Sequence, residues 1–526
     1  MRKKIVIVGG GHNGLVAAAY LAKAGHEVTV FEKRSVVGGC ASNDTMIFPG
    51  FTISKASYLN SLFLPEIVRD LELEKYGYKV FPRSPSSFTP LLDGRYLMLG
   101  PDMEFNRREI AKFSAKDAEA YPKYEVALSG IAEWVAGLMS MTPPNIPPKN
   151  LRDWKNLGLF FRHFGALSPA KLTRLLRLMF TDPVKYLDRW FESDVLKATL
   201  LTDVAIGATE LSGYVLLHHV MGESGGARGV WAYQKGGMGG ISSALRIAAE
   251  SYGARIVCNA EVVAIVPCEG DVKSFVVVEF GGEPQCVICA DVIVSNLDPK
   301  LTLSKLVVNE HIRLLEAPIN KINYASASMK INLALSGLPN FKACPGTEPG
   351  PQHRGTVHVS PSVAYILFAL EESRRGKPSS APILELTVPS VLDDSLAPEG
   401  KHVMNIFLQF VPYGKVGDKG AYWRDYVLPR LREFISNIDE IVEGVEILAP
   451  EDLEREFGLT GGNIFHGALS TSQLFSLRPF RGMADYRTPI PGLYLCGAGT
   501  HPGGGVTGAP GYNAAREILA DVGGGY

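Results

Sequence analysis

Apolar positions along this chain gather into short runs whose spacing predicts distinct elements at its two ends. Ile5, Val6, Ile7 and Val8 form an unbroken β-branched run. Such a run suits a parallel strand buried on both faces, since a half-solvated strand would alternate with polar residues. After six residues rich in glycine, Leu15 to Ala24 is dominated by Ala and Leu and is followed by Gly25, a C-terminal glycine cap, so a helix is predicted there. Glu27 to Phe31 reads as a second strand. Near the other terminus, Gly492 to Leu495 reads as a buried strand emptying into the glycine-rich loop Cys496 to Thr500, and Tyr512 to Val522 as a last helix. Cys286 to Val294 is one further apolar, strand-like run. Residues 101–225 and 301–455 hold most of the long helical patterns and no nucleotide signal.

The segment joining the first strand to the first helix is Gly9-Gly10-Gly11-His12-Asn13-Gly14, a G-x-G-x-x-G. The first glycine permits the tight turn, the second lets the backbone approach a pyrophosphate, and the third lets helix and strand pack closely. The phosphates then meet the positive end of a helix. The second strand ends in Glu32, 23 positions after Gly9, the distance expected for a carboxylate on the adenosine ribose hydroxyls. Strand, turn, helix and acid in register predict a dinucleotide site.

Two features select FAD over NAD. Gly38-Gly39, shortly after Glu32, lets backbone run along the dinucleotide, and the C-terminal strand-loop-helix returns a helix N-terminus to the flavin, where N–H groups stabilise negative charge on the reduced ring. Gly503 to Gly508 also matches G-x-G-x-x-G. The chain ends 18 residues later, so no second strand with a terminal acid follows, and one dinucleotide per chain is expected.

Composition narrows the class. The chain has 526 residues, enough for two domains, with 53 basic against 54 acidic residues and 46% hydrophobic residues. That is a globular enzyme rather than a nucleic-acid binder. Seven unevenly spaced cysteines fit free thiols, and no His, Cys and carboxylate cluster has metal-ligand spacing. No stretch approaches ~18 uncharged apolar residues. The first strand begins so early that no signal or transit peptide fits before it, so a cytoplasmic location is expected, with peripheral membrane contact left open, or a mitochondrial one if a presequence has been removed.

Gly-Gly-Gly-His-Asn-Gly-Leu-Val-Ala-Ala-Ala-Tyr-Leu at 9–21, the pair after Glu32, and Cys-Gly-Ala-Gly-Thr-His-Pro-Gly-Gly-Gly-Val at 496–506 resemble the phytoene desaturase-related FAD oxidoreductases. The similarity is greater to the branch named for a pyridine nucleotide-disulfide oxidoreductase domain, carried by Ala56 to Leu59, Phe113 to Ala118, Trp190 to Ser193, Tyr214 to Met221 and Gly461 to His466. The resemblance implies an α/β, glutathione-reductase-like FAD domain built from 1–80, 226–300 and 456–526. A second, α+β substrate domain would be built from 81–225 and 301–455. It implies that Gly9, Gly11 and Gly14 face the pyrophosphate with His12 and Asn13 beside them, and that Glu32 faces the ribose with Lys33 next to it. Gly38 and Gly39 would run along the dinucleotide, and a strand near Val262 and Val263, after the helix opened by Gly236 to Gly239, would pass the adenine. Gly497, Ala498, Gly505, Val506 and Thr507 would close over the cofactor. Relatives often carry Arg after the Gly-Gly pair, where this chain has Cys40. The branch name invites a redox disulfide at Cys286 and Cys289, but residues three apart on a strand face opposite ways.

Lys149 to Trp190 carries nine basic residues against three acidic ones, interleaved with Trp154, Phe160, Phe161 and Phe180. It reads either as an amphipathic surface for anionic lipid or as a solvated helix face over an apolar core, the second being preferred. Hydride delivery from a substrate in a dry pocket needs orientation more than a nucleophile. His501, after the C-terminal strand, and then His466 are the candidate acid, base or charge-stabilising residues; His218 and His219 read as core histidines. The expectation is an FAD-dependent oxidoreductase removing hydride from a lipophilic small molecule, with oxygen, a quinone or a protein as electron acceptor. The alternatives are a flavin amine oxidase, for which Tyr512 alone makes no aromatic cage, and a non-catalytic flavoprotein acting through protein partners in a mitochondrial-type setting.

Overall fold

The computed structural model describes residues 1–207, 209–224, 227–228, 231–267, 274–308 and 312–523. The β-branched run at the N-terminus is strand β1, Lys4–Val8, the middle of a five-stranded parallel sheet. Its neighbours are β2, Glu27–Phe31, with β3, Arg255–Val257, beyond it on one side. On the other side lie β4, Val292–Ser295, and then β5, Leu493–Leu495. Ile5 and Ile7 enter one apolar cluster while Val6 and Val8 enter another, so β1 is covered on both faces, as its composition requires. The first helix, α1, His12–Lys23, begins three residues earlier than its apolar pattern and ends where Gly25 takes φ +88°. It packs between α2, Gly239–Ser251, and α3, Ala509–Val522.

The apolar run at 286–294 does not form one strand. Glu283–Ala290 completes an antiparallel three-stranded sheet with Ala260–Val266 and Ser274–Phe280, while β4 restarts after Asp291, whose carboxylate accepts the Lys4 N–H at 2.7 Å. A single polar residue thus redirects the chain from one sheet to another. Cys286 is half-buried and Cys289 exposed, both as free thiols.

A second large sheet has seven strands, in the order Val442–Leu448, Ser328–Leu335, His402–Gln409, Ile383–Thr387, Thr356–Val359, Ser87–Pro90 and Tyr96–Leu99. All of these fall within 81–225 and 301–455, whereas the five parallel strands fall within 1–80, 226–300 and 456–526; the boundary at Gly226 lies outside the described residues. Along Ser328-Met329-Lys330-Ile331-Asn332-Leu333, side chains alternate between polar and apolar. Met329, Ile331 and Leu333 join Ile406, Leu408 and Leu386 in one apolar core. The other face carries buried Ser328, Lys330, Asn332, Asn405 and Glu385, and it looks toward the parallel sheet. Helix Met103–Ala111 packs on the strand Tyr96–Leu99, while buried residues of the helices between 115 and 220, such as Tyr124, Ile131, Leu178 and Leu201, join the apolar cluster that holds Ile5 and Ile7.

Candidate functional site

The carboxyl ends of the parallel strands open into a cavity of about 510 Å³ that extends to the polar face of the seven-stranded sheet. Crevices beyond strand carboxyl ends are where open α/β sheets bind ligands. At the mouth of β1, Gly9 takes φ +91°, which favours glycine, and a Cβ on Gly14 would sit 2.4 Å from the Gly9 carbonyl oxygen, so helix and strand meet only because Gly14 lacks a side chain. A Cβ on Gly11 would come within 2.5 Å of Asn296 Nδ2, a residue just past β4 that also lines the cavity. Gly38 donates its N–H to the Gly10 carbonyl at 2.8 Å, which lays the glycine pair alongside the turn.

Glu32 accepts the Gly10 N–H at 2.7 Å on Oε2 and the Arg34 N–H at 2.9 Å on Oε1. Its carboxylate is buried yet part of the cavity wall, and desolvation raises its pKa despite those two bonds. Each carboxylate oxygen retains a lone pair for a ribose hydroxyl. His12 Nε2, Asn13 Oδ1 and His466 Nδ1 are buried without a hydrogen-bond partner, and all three residues line the cavity. Burial pushes the His12 pKa down to about 4, with His466 opposing its charge as well, so it is a neutral imidazole near pH 7. Burial lowers the His466 pKa too. A glycine cradle with unsatisfied polar atoms around it fits a bound dinucleotide.

Of the residues expected on this site, Gly9, Gly11, His12, Asn13, Glu32, Lys33, Gly38, Gly39, Cys40, Ala498, Gly505, Val506 and His466 line the cavity. Gly14, Val263, Gly497, Thr507 and His501 stand behind its wall. Gly497 packs against the Asn296 carbonyl, and Thr507 Oγ1 caps Ala509 at the start of α3. Val263 falls at a bulge, between Val262 paired with Val278 and Ala264 paired with Val277, so Val262 faces the cavity and Val263 is left outside the ladder. His501 holds the Leu138 carbonyl through Nε2 at 2.7 Å and meets Phe475 edge-on at 5.1 Å; burial brings its pKa down to about 4. These are the contacts of a packing residue. Tyr512 rests on Tyr20, 5.1 Å away and outside the cavity. His218 is buried as a core histidine would be but also lines the cavity, beside Gly505; the side chain of His219 lies outside the described residues.

Cys40 sits in the wall with its thiol pKa pushed up to about 12 by burial, so it offers no thiolate. Cationic charge reaches that region by another route. Arg34, six residues earlier, lines the cavity and donates to Ser42 Oγ at 3.0 Å and to the Gly39 carbonyl at 3.4 Å. At the far end Tyr58 and Phe407 stack with ring centroids 5.5 Å apart, next to Lys330 and Trp231. Neither Arg34 nor Lys330 carried a motif, although the polar alternation in Ser328 to Asn332 marks Lys330 as facing away from the core.

His466 occupies a left-handed conformation, φ +54°, at the tip of a loop held from inside. Asn463 accepts the Phe465 and Gly467 N–H groups on Oδ1 and donates Nδ2 to the Ala325 carbonyl at 2.7 Å. Arg478, 1% exposed, sends its guanidinium into the same loop. It donates to the carbonyls of Phe465, Gly467, Ala468 and Gln473 and, across the gap, to those of Ala498 at 2.7 Å and Thr500 at 3.1 Å.

A model of the NAD(P)-binding Rossmann-like domain matches residues 7–65. The rat pyridine nucleotide-disulfide oxidoreductase domain-containing protein 2 is 42% identical over 548 residues, covering 98% of this chain and 93% of that protein. The hydroxyneurosporene desaturase of Cereibacter sphaeroides is 27% identical, with 99% and 98% covered. Among solved structures, a triple mutant of putrescine oxidase superposes with a TM-score of 0.59 at 14% identity, covering 99% of this chain and 98% of that one, a likeness of fold.

Arg478→Lys keeps the charge but loses the fork that reaches both loops. Replacing it is expected to lower stability by about 3–5 kcal/mol, as when a buried charge network loses its partner. Urea unfolding followed by tryptophan fluorescence measures this, and an unchanged midpoint would refute the role.

Proposed function

Because the chain belongs to the family of pyridine nucleotide-disulfide oxidoreductase domain-containing protein 2, we propose that it is an FAD-dependent oxidoreductase that removes hydride from a lipophilic small molecule. The observation that carries this reading is the continuity of one cavity from Gly11 and Glu32 to Tyr58, Phe407 and Trp231. A site for a nucleotide alone would stop at the ribose and pyrophosphate; this one runs on into a compartment with aromatic walls. FAD, when bound, supplies the acceptor for a hydride. The protein's part is to hold and orient. The Gly9 to Gly14 turn and the start of α1 would receive the pyrophosphate, Glu32 the ribose, and the bulge at Val263 the adenine edge. Ala498, Gly505, Val506 and His466 would stand where the reactive ring lies, with water kept out by Leu62, Ile206 and Ile464.

The same compartment supports an amine as second reading, since Tyr58 and Phe407 offer an aromatic pair to a cationic donor. A non-catalytic role in which the fold serves only as a platform is disfavoured by the open cavity, which side chains would fill if no small molecule entered.

The segment 149–190 forms helices Leu151–Gly165 and Pro169–Phe180. Leu151, Trp154, Phe161, Leu176 and Phe180 are exposed there beside exposed Lys155, Arg162, Lys171, Arg174 and Arg177, while the one acid of these two helices, Asp153, is buried. No described helix is long and apolar enough to cross a membrane. A cationic surface with protruding aromatic residues fits an anionic lipid headgroup layer, and on the buried side of the same helices Leu178 packs against Gly213 of the helix bearing His218. We propose that the substrate reaches the cavity from such a layer.

Purified protein is expected to show flavin absorbance that bleaches anaerobically with one class of lipophilic compound. Gly11→Val is expected to remain folded and colourless, because its side chain would strike Asn296. Absorbance spectra read both, and a wild-type protein that stays colourless in excess FAD defeats the proposal. Trp154→Ser combined with Phe161→Ser is expected to abolish co-sedimentation with phosphatidylglycerol vesicles and leave the flavin spectrum unchanged. Wild-type protein that fails to sediment with those vesicles at low salt would sink the lipid contact.

A further inference from the structure

Four neighbouring strands of the seven-stranded sheet bring one row of side chains into register on the face toward the cavity. Lys330 lies opposite Phe407, Phe407 opposite Glu385, and Glu385 opposite His358. Tyr58 lies over this row: its ring stacks on Phe407, its hydroxyl donates to Glu385 Oε2 at 3.0 Å, and Lys330 Nζ stands 5.7 Å from the ring centroid. Lys330 is 1% exposed and lines the cavity.

Two buried lysines lie close together here, and their surroundings differ in kind. Lys55 is beside three carboxylates, bonded to Glu446, 3.1 Å from Glu456 and 3.5 Å from Asp44. Those partners raise its pKa against the cost of burial, so it is a fixed cation. Lys330 has no carboxylate within ion-pair distance among the described residues. Its Nζ meets three neutral oxygens: Asn332 Oδ1, Asn405 Oδ1 at 2.8 Å and the Ser54 carbonyl at 3.4 Å. Asn332 is itself oriented by donating to Glu446 Oε2 at 2.9 Å and to the Lys55 carbonyl at 3.2 Å. The two Asn oxygens match the two N–H bonds of a neutral amine, and the third position, met only by the Ser54 carbonyl at 3.4 Å, is left for a lone pair or an added proton. None of these oxygens carries the full negative charge that would hold the proton permanently.

We propose that Lys330 is the proton acceptor of the oxidation, a neutral amine at the cavity wall that takes one hydrogen of the substrate as a proton while the other leaves as hydride for FAD. The inference rests on the FAD-oxidoreductase reading. Two hydrogens leave the substrate: the hydride carries both electrons, the proton bonds to the Lys330 lone pair, and the ammonium formed is met by Asn332, Asn405 and Ser54. Removing a proton and a hydride from adjacent atoms leaves a double bond, as in a desaturation or the oxidation of an alcohol or amine. The groups around Lys330 set its affinity for that proton. Burial lowers it and Lys55 lowers it further, Glu446 raises it, and the net pKa falls to about 7. Glu385 faces the same row through Tyr58. His12, also on the wall, is held neutral down to about pH 4 and is the weaker base.

Trace acetylation of the flavin-loaded protein across a pH series, read by mass spectrometry of the Lys330 and Lys55 peptides, tests this without turnover. Lys330 is expected to react as a free amine with a midpoint near pH 7, and Lys55, whose carboxylate partners raise its pKa, to stay unlabelled across the range in which Lys330 reacts. A Lys330 midpoint in the ordinary lysine range, or no labelling from the cavity at any pH, overturns the proposal. In anaerobic flavin reduction by a donor, the wild-type rate is expected to fall about tenfold per pH unit below the midpoint, because protonated Lys330 accepts nothing. Lys330→Met, close in shape and without charge, should lower the rate by roughly 100-fold or more, abolish that acid limb and leave the flavin spectrum intact. Reduction equally fast in this variant with the wild-type pH profile removes Lys330 from the chemistry and spares the oxidation reading; a flavin that no donor reduces sinks the oxidation reading itself.

Discussion

The buried guanidinium of Arg478 is the constraint on which the geometry around the reactive end of the cavity depends. An isolated charge in an apolar interior is costly, and here no carboxylate stands within ion-pair distance among the described residues; carbonyl dipoles from two separate loops surround it instead. One loop, 465–468, presents His466. The other, 498–500, leads from β5 into the Gly503 to Gly505 segment. A planar group with five donors satisfies both loops at once, so neither moves without leaving buried donors and acceptors unpaired. Asn463 extends the tie to Ala325, three residues before the strand that carries Lys330. The two loops at this end of the cavity and the start of the strand that carries Lys330 are therefore tied through backbone carbonyls, in addition to the apolar cluster that joins Ile5 and Ile7 to Ile383 and Phe410.

Much of the parallel sheet was legible in the sequence because its signals are local: a β-branched run, a glycine turn, an acid at a fixed distance. What stayed hidden is set by tertiary partners. The run from Cys286 to Val294 looks continuous by composition and is cut by Asp291, whose role comes from Lys4 at the other end of the chain. His501 follows the C-terminal strand as expected, but its ring is drawn to the Leu138 carbonyl on a helix with no sequence relation to it. Val263 and Val262 exchange roles because a bulge reverses which residue faces inward. Arg34 was unremarkable beside Lys33, and only the path of the Gly38-Gly39 backbone brings its guanidinium to the cavity. His466 was legible through its block of residues, its left-handed backbone was not.

The seven-stranded sheet inverts the usual arrangement of a half-buried sheet. One face is apolar and packed; the other is polar and equally sheltered, because it roofs a cavity instead of meeting water. Burying Lys330, Glu385 and Glu446 is expensive unless each has polar partners, and register supplies part of them: Glu446 lies opposite Asn332 and Glu385 opposite His358, while Lys330, opposite Phe407, reaches Asn332 and Asn405 beside it. A shift of a single residue would turn the whole ionisable row into the apolar core. Packing specificity and chemical competence are thus enforced by one pairing pattern.

The order of strands in the parallel sheet also has a consequence for biosynthesis. β1 leaves the ribosome first, yet its neighbour β4 comes nearly three hundred residues later, and β5, which covers β4, belongs to the last part of the chain. A nascent chain can wind β1, α1 and β2 early, but the flank that β5 protects stays an unpaired, apolar edge until synthesis is almost complete. The cavity wall that follows β5 is accordingly assembled late, and a chain cut short before β5 leaves the ribosome with an open sheet edge that invites chaperones or neighbouring chains.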